Sequence, residues 1–272
     1  MTILGINYEK CIQCGLCIKE CQRFFIKNEQ QNKIIFEDLH GRCNLCGHCI
    51  AVCPEEAILY ENLGDDPYYF DGIEHLENYI SYESISNFLR ANRSIRHYKI
   101  KSIPQSTLKK VIRVMEFAPT GANLRAEKIA IISDPEQIKT LSEAVIDELL
   151  KNPSIKSRSG DHFEKFREIH KDPIFHDAPH LIVVYSLGNS VLDHFNIGNI
   201  ITYGRIAAQS LGLGTCYIGY AQMAFESNPK LLKIAKITGK CWGVITIGYP
   251  SIKFLRCPPR SHKKVKGLEK LG

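Results

Sequence analysis

The chain has 272 residues and an ordinary hydrophobic share of 44%, room for about two domains on a rough scale of 150 residues each. No apolar run approaches the roughly 20 residues of a membrane span, and residues 1–10 lack the basic start and apolar stretch of a secretory signal, so a soluble, non-secreted protein is expected. The net charge of +6 raises a nucleic-acid surface, but Lys263, Lys264 and Lys266 form a short run without interleaved aromatics, the mark of a solvated tail.

The first stretch in chain order is dominated by cysteine. Eight of the eleven cysteines fall into two copies of one spacing, Cys11-x2-Cys14-x2-Cys17-x3-Cys21 and Cys43-x2-Cys46-x2-Cys49-x3-Cys53, the second followed by Pro54. Thiolates so spaced wrap a cubic iron–sulfur cluster: three close around one cluster and the fourth reaches across to the other. On that rule Cys11, Cys14, Cys17 and Cys53 hold one 4Fe–4S cluster, and Cys43, Cys46, Cys49 and Cys21 hold the second. The segment resembles the bacterial two-cluster ferredoxins, with Gln22 where a proline would follow the first run. Structural zinc, commonly held by two Cys-x2-Cys pairs, leaves the third and fourth cysteine of each run without a task. A disulfide framework belongs to short secreted chains. Cluster thiolates need a reducing compartment, so a cytoplasmic protein is expected. Each oxidised cluster with its thiolates carries about −2, so two of them offset about four of the positive charges.

Between the runs, Lys33–Phe36 reads as a short strand. Gly64, Asp65, Asp66 and Pro67 form a turn-rich break, followed by an aromatic, acidic connector. These features divide the chain into a cluster module over 1–62, a connector over 63–81 and a larger domain over 82–272. There, Ile85, Phe88 and Leu89 mark a helix ending near Asn92. A second runs from Ser102 or Gln105 to Ala118 and stops at Pro119. Residues 128–133 read as a strand, and Pro135–Leu150 as a helix capped by Asp134. The polar stretch 157–170 reads as a weak helix or lid, and 181–185 as a buried strand. The spacing of Ile197, Ile200, Ile201, Gly204, Ala207, Ala208 and Leu211 predicts a long helix, with small residues for close packing. A short helix is expected over 229–237 and a closing strand over 244–247. Without a βαβ rhythm, the fold class is α+β.

Several motifs occur in order along this domain: Asn92-Arg93-Ser94-Ile95-Arg96-His97-Tyr98, then Ala118-Pro119-Thr120-Gly121-Ala122-Asn123, then Leu211-Gly212-Leu213-Gly214-Thr215-Cys216-Tyr217-Ile218-Gly219, then Ile247-Gly248-Tyr249-Pro250 and Pro259-Arg260. In this order they resemble the nitroreductase family from about Tyr82 to Lys264. The resemblance implies FMN at a homodimer interface. Arg93, Ser94 and Arg96 correspond to the family's Arg-Ser-x-Arg contacts, and their guanidinium forks and hydroxyl suit a phosphate and a pyrimidine edge. Asn92 stands where an arginine is frequent. Pro119, Thr120 and Asn123 resemble the Pro-Ser-x-x-Asn segment that reaches the partner's flavin, though Leu124-Arg125-Ala126 replaces the Gln-Pro-Trp that often follows. Ile218 and Gly219 correspond to the backbone beside flavin N5, and Arg260 to the late basic residue on the phosphate. The glycines fit no dinucleotide fingerprint, since Tyr217 takes the third position.

Cys216, Cys241 and Cys257 read as ordinary packed thiols. His162, His170, His176 and His180 repeat no metal spacing, and no catalytic acid or base is nominated. The expected function is an iron–sulfur flavoprotein oxidoreductase. Two clusters pass electrons from a low-potential donor, reduced ferredoxin or a nicotinamide cofactor, to FMN, which reduces a small nitro or quinone type of acceptor. The alternative is a non-enzymatic electron-transfer flavoprotein working between protein partners. A nucleic-acid or membrane partner is not expected.

Overall fold

The computed structural model describes residues 2–62, 64–169, 171–188 and 190–267. His170, Leu63, Met1 and residues 268–272, which bear on the lid and domain boundaries above, lie outside the described residues. The chain divides into two compact units: Met1–Tyr79 with Pro119–Arg125, and Ile80–Ala118 with Ala126–Gly272.

The first unit is built from short elements. These are β1 (Thr2–Ile6), α1 (Leu16–Glu20), β2 (Phe25–Asn28), β3 (Lys33–Phe36), α2 (His48–Ala51), β4 (Ile58–Glu61) and, after a 3-10 turn at Ile73–His75, α3 (Leu76–Tyr79). β1 pairs antiparallel with β4, and β2 with β3. Ile3, Ile6, Phe25, Ile34, Ala57 and Ile58 pack around Cys17 and Cys49. The two cysteine runs are near copies in backbone as well as sequence. Gln13 and Leu45 both lie in the left-handed region (φ 60° and 55°), as do Gly15 and Gly47 (both φ 77°), which cap α1 and α2. Gln22 does not disturb the end of the first run: the Cys21 carbonyl accepts from the N–H groups of Phe24 and Phe25 and closes the turn without a proline.

The second unit centres on one antiparallel sheet. In chain order it contains α4 (Tyr82–Ala91), α5 (Gln105–Met115), β5 (Lys128–Ile132), α6 (Pro135–Leu150), α7 (Pro153–Glu168), β6 (His180–Ser186), α8 (Asp193–Ser210), β7 (Gly214–Tyr217), α9 (Gly219–Ser227) and β8 (Lys240–Gly248). The strand order is β5-β6-β8-β7, every pairing antiparallel. β6 and β8 are buried nearly end to end because helices cover both faces. Leu181, Val183 and Val244 face α6, α7 and α9, while Ile182, Val184, Ile245 and Ile247 face α5 and α8. This is the expected α+β class. Asp134 caps α6 by accepting from the N–H groups of Glu136 and Gln137, with Pro135 in the first turn.

Close approach explains two glycines. A Cβ on Gly204 of α8 would stand 2.8 Å from Met115 of α5, and one on Gly214 would stand 2.4 Å from Cγ1 of Ile95. Gly212 ends α8 by conformation, at φ 72°. Its N–H donates to Gln209 O and the Leu213 N–H to Ala208 O, the double bond pattern of a helix stop.

The structure departs from expectation in four places. Residues 157–168 of the expected weak helix or lid fall in α7, which Asn152 caps and which Ile155 and Phe163 anchor in the core. Arg167 ties α7 to Glu143 and Asp147 of α6. In place of a helix over 229–237 there is a 3-10 turn, Pro229–Lys233, and the left-handed Lys236 (φ 57°) prevents its continuation. The second helix ends at Met115, three residues short of Ala118. Cys216 and Cys241 are buried, but Cys257 is exposed because residues 253–265 form no regular element that could cover it. Among the described residues no helix is long and apolar enough to cross a membrane.

Candidate functional site

In the first unit, Cys11, Cys14, Cys17 and Cys53 line one cavity together with Ile6, Ile12, Leu16, Ile34, Ala57 and Ile58. A set of four thiols in a wall that is apolar apart from Glu55 is the donor chemistry of a 4Fe–4S cluster. Among the described residues no three His, Cys, Asp or Glu side chains converge on a single-ion site. The second set also gathers. Cys43 and Cys49 both lie within electrostatic reach of Cys46 and Cys21. The fourth cysteine of each run therefore stands with the first three of the other.

Burial raises the Cys17 and Cys43 thiols and pushes Cys49 up to about 11. Left alone these groups stay protonated near neutral pH, and the positive charge of bound iron is what keeps such sulfurs as thiolates. Backbone N–H groups oppose the burial. Ile18 faces Cys17, Leu45 faces Cys43 and Ile50 faces Cys49, while the Ala57 N–H donates to Cys53 Sγ at 3.2 Å. The left-handed residues of each run turn these donors inward, the geometry of an anion nest.

In the second unit, the Arg93–Arg96 segment starts beside β7. Ser94 bridges Thr215 in parallel, and the Ile95 N–H donates to Thr215 O at 2.9 Å. Tyr98 anchors the other end, its hydroxyl donating to Ile95 O at 2.8 Å and meeting Thr246 Oγ1 at 2.7 Å. β7 leads into buried Ile218 and then Gly219, the first residue of α9, where an added Cβ would meet nothing within 4 Å. The structure thus brings Arg93, Ser94, Ile218 and Gly219 onto neighbouring segments. Arg96 is exposed. Near it, burial first and the Arg96 charge second hold His176 down at about 4, so the imidazole is neutral at pH 7. Arg260 is exposed in the irregular stretch near the chain end.

Asn92 is the hub of this corner. Its Nδ2 donates to Gln209 Oε1, its Oδ1 accepts from Arg205 Nη2 at 2.7 Å, and its carbonyl accepts from Arg93 Nη1. Gln209 is fixed in turn by donating to Phe88 O. After these bonds the Nε atoms of Arg93 and Arg205 are buried without a partner. Two orphaned guanidinium donors are costly unless an acceptor arrives, and an anionic group such as a phosphate satisfies them. Arg205 was missed in the sequence. Its signal was a charge beside Gly204 in the part of α8 that is otherwise buried through apolar and small residues, one turn before the polar Gln209.

Pro119, Thr120 and Asn123 group with the first unit. Thr120 Oγ1 accepts from the Arg125 N–H at 3.2 Å, and Asn123 Nδ2 donates to Asn44 O and Leu45 O at 2.9 and 3.0 Å.

Comparison with known proteins agrees with both halves of this picture. Residues 89–249 match the nitroreductase family, and residues 10–58 match the 4Fe-4S dicluster domain. An iodotyrosine deiodinase from Thermotoga neapolitana is 21% identical over 164 residues, 59% of this chain and 86% of that protein. Among solved structures, a nitroreductase with bound FMN from Bacteroides fragilis superposes with a TM-score of 0.53 at 18% identity, covering 68% of this chain and 96% of its own. One with bound FMN from Desulfitobacterium hafniense gives 0.55 at 18%, covering 65% and 93%. These likenesses establish the fold of the second unit. Because the family match spans more than half of its length, the chain belongs to the nitroreductase family, with a 4Fe–4S dicluster domain preceding the family region.

Proposed function

We propose that this protein is an FMN-dependent oxidoreductase supplied with single electrons by two 4Fe–4S clusters. The observation that carries the reading is that one chain joins two thiolate sets to a nitroreductase-family domain. We assign the cluster module to 1–62, the connector to 63–81 and the flavin domain to 82–272. When bound, the clusters carry electrons singly and FMN passes them on in pairs.

The protein's own part is to hold and orient. Cys11, Cys14, Cys17 and Cys53 seat one cluster; Cys43, Cys46, Cys49 and Cys21 seat the other. Arg93, with Arg205 in place of the arginine that Asn92 lacks, neutralises the cofactor phosphate through the orphaned Nε–H donors. Ser94 and Arg96 contact the flavin's polar edge. The Gly219 N–H, with no Cβ in the way, stands ready to donate to the flavin ring beside Ile218. Arg260 adds charge at the phosphate, and Pro119, Thr120 and Asn123 reach the flavin of a partner subunit in a homodimer. The donor is reduced ferredoxin or a nicotinamide cofactor. The acceptor is a small electron-poor compound, of nitro or quinone type, met by a protein working in the cytoplasm.

Anaerobic purification tests the frame: about eight irons, eight sulfides and one FMN per chain are expected, and zinc with no flavin overturns it. Stopped-flow reoxidation of the reduced protein then tests the activity. The acceptors are a nitroaromatic, a quinone and, because one relative is named a deiodinase, an iodophenol. If none of the three reoxidises the flavin, the enzyme reading gives way to an electron carrier.

A further inference from the structure

The two cysteine runs share their spacing and their left-handed residues, yet their loops are held differently. In the first run the loop between Cys11 and Cys14 is tied within the module, where Gln13 Oε1 accepts from the Ile34 N–H at 3.0 Å. In the second, the loop between Cys43 and Cys46 is held by a residue from 78 and 79 positions further along. The Asn123 amide donates to both Asn44 O and Leu45 O.

The consequence follows from peptide geometry. Each peptide is a rigid plane with its carbonyl and N–H pointing opposite ways. Holding Asn44 O aims the Leu45 N–H, the group that faces the Cys43 sulfur. Holding Leu45 O fixes the next plane, which carries the Cys46 N–H. Asn123 is itself placed by a tight turn. Its own N–H donates to Thr120 O at 3.0 Å, and Ala122, Asn123 and Arg125 are all left-handed, at φ 52°, 53° and 46°. Left-handed backbone is strained for a non-glycine residue and persists where surrounding contacts enforce it. The double hydrogen bond to the cysteine loop is such a contact.

We infer that Asn123 is a positioning residue of the second cluster, fixing the Cys43–Cys46 loop so that its N–H dipoles set that cluster's reduction potential apart from the first. Hydrogen bonds toward cluster sulfur favour the reduced, more negative state, so loss of the clamp lowers the potential. A segment lying within the nitroreductase-family match thereby tunes one cluster of the pair. The inference rests on the two-cluster reading above.

The experiment uses the full chain, purified anaerobically, in two forms. Asn123→Gly removes the amide while keeping the left-handed backbone easy; Asn123→Asp keeps the size but cannot donate when ionised. Iron is counted first. Potentiometric titration followed by electron paramagnetic resonance then reads each cluster, with the second cluster's signal marked by Cys46→Ser and the first by Cys14→Ser. The expected result is a fall in the potential of the cluster marked by Cys46→Ser, larger for Asn123→Asp, with the other unchanged. Equal shifts of both clusters, no shift, or a shift confined to the cluster marked by Cys14→Ser overturns the inference. If wild-type protein lacks the eight irons, the two-cluster reading itself has failed. A variant that fails to fold is replaced by amide exchange on wild-type protein, where slow exchange at Leu45 and Cys46 is expected and exchange no slower than at Gln13 and Cys14 overturns the clamp.

Discussion

The two units differ in what holds them together. The second buries two continuous clusters on opposite faces of one sheet, including fully buried Leu141, Phe163, Phe175, Leu181, Ile245 and Ile247. Among the described residues the first buries eight, two of them cysteines, beneath two-stranded pairings that would be marginal alone. Small cores of this kind are commonly supplemented by a metal or disulfide staple. The expectation is that bound clusters staple the first unit, while the second folds on hydrophobic burial.

The largest expected effect follows directly. Chelating the iron should unfold the first unit while the second keeps its structure. Amide exchange reads both at once: β1–β4 should lose protection and β6 and β8 should retain it. Cys53→Ser should act in the same direction through one cluster. If β1–β4 stay protected after the iron is gone, the small core is sufficient and the contrast fails.

Next is a break confined to the second unit. Gly214→Ala places a Cβ 2.4 Å from Ile95 Cγ1 and 2.8 Å from Ile95 Cβ, an overpacking worth about 1–3 kcal/mol. It pushes on the segment carrying Arg93 and Ser94. The urea midpoint should fall, with partial recovery when Ile95→Ala is added. Iron content should stay unchanged, since the cysteines belong to the other unit.

These two units were not equally legible in the sequence. The cysteine spacing made the dicluster domain legible because the chemistry of its ligands fixes their separation along the chain. The long helices were readable from periodicity, and Asp134-Pro135 marked the start of α6. Among the four- and five-residue strands, β3 and β5 stood out by their β-branched apolar runs, whereas β1, β2, β4 and β7 carried too little pattern to be read. Arg205 and Asn123 show a different gap. Arg205 is a charge on a helix that was read from its apolar and small positions, and its value depends on Asn92, more than a hundred residues away in sequence. Asn123 was legible as a family position, but its bond to the Cys43–Cys46 loop is long-range and leaves no local pattern.

A middle-sized effect separates cofactor binding from folding. Arg93→Leu and Arg205→Leu each remove an orphaned donor and its charge. A hydrogen bond to a charged group is worth about 1.5–3 kcal/mol, so FMN affinity should drop about 10- to 100-fold. Flavin fluorescence titration measures it, with iron content and urea midpoint as controls. If Arg205→Leu binds FMN like wild type, Arg205 serves only to hold Asn92.

The smallest effect concerns acid. Glu148, buried at the end of α6, accepts from Lys151 Nζ at 2.7 Å, Asn228 Nδ2 at 3.0 Å and Ser227 Oγ at 2.9 Å, and ties α6 to the turn after α9. The Lys151 bond first, then Asn228 and Ser227, hold its carboxyl at about 2. Unfolded, such a group titrates near 4.3. The folded state therefore binds fewer protons between these values. The stability Glu148 contributes is fully present above about 4.3 and is lost as pH falls toward about 2. Glu148→Gln should cost about 1 kcal/mol at neutral pH, the net worth of a hydrogen bond or so. The gap between variant and wild type in urea stability should close as pH drops through that window. A gap that stays constant down to pH 3 would mean the contacts act by shape alone. Acid reaches the first unit by another route, protonating cluster thiolates and releasing iron, so in one acid titration iron loss should track β1–β4 and leave the Glu148 step to the second unit.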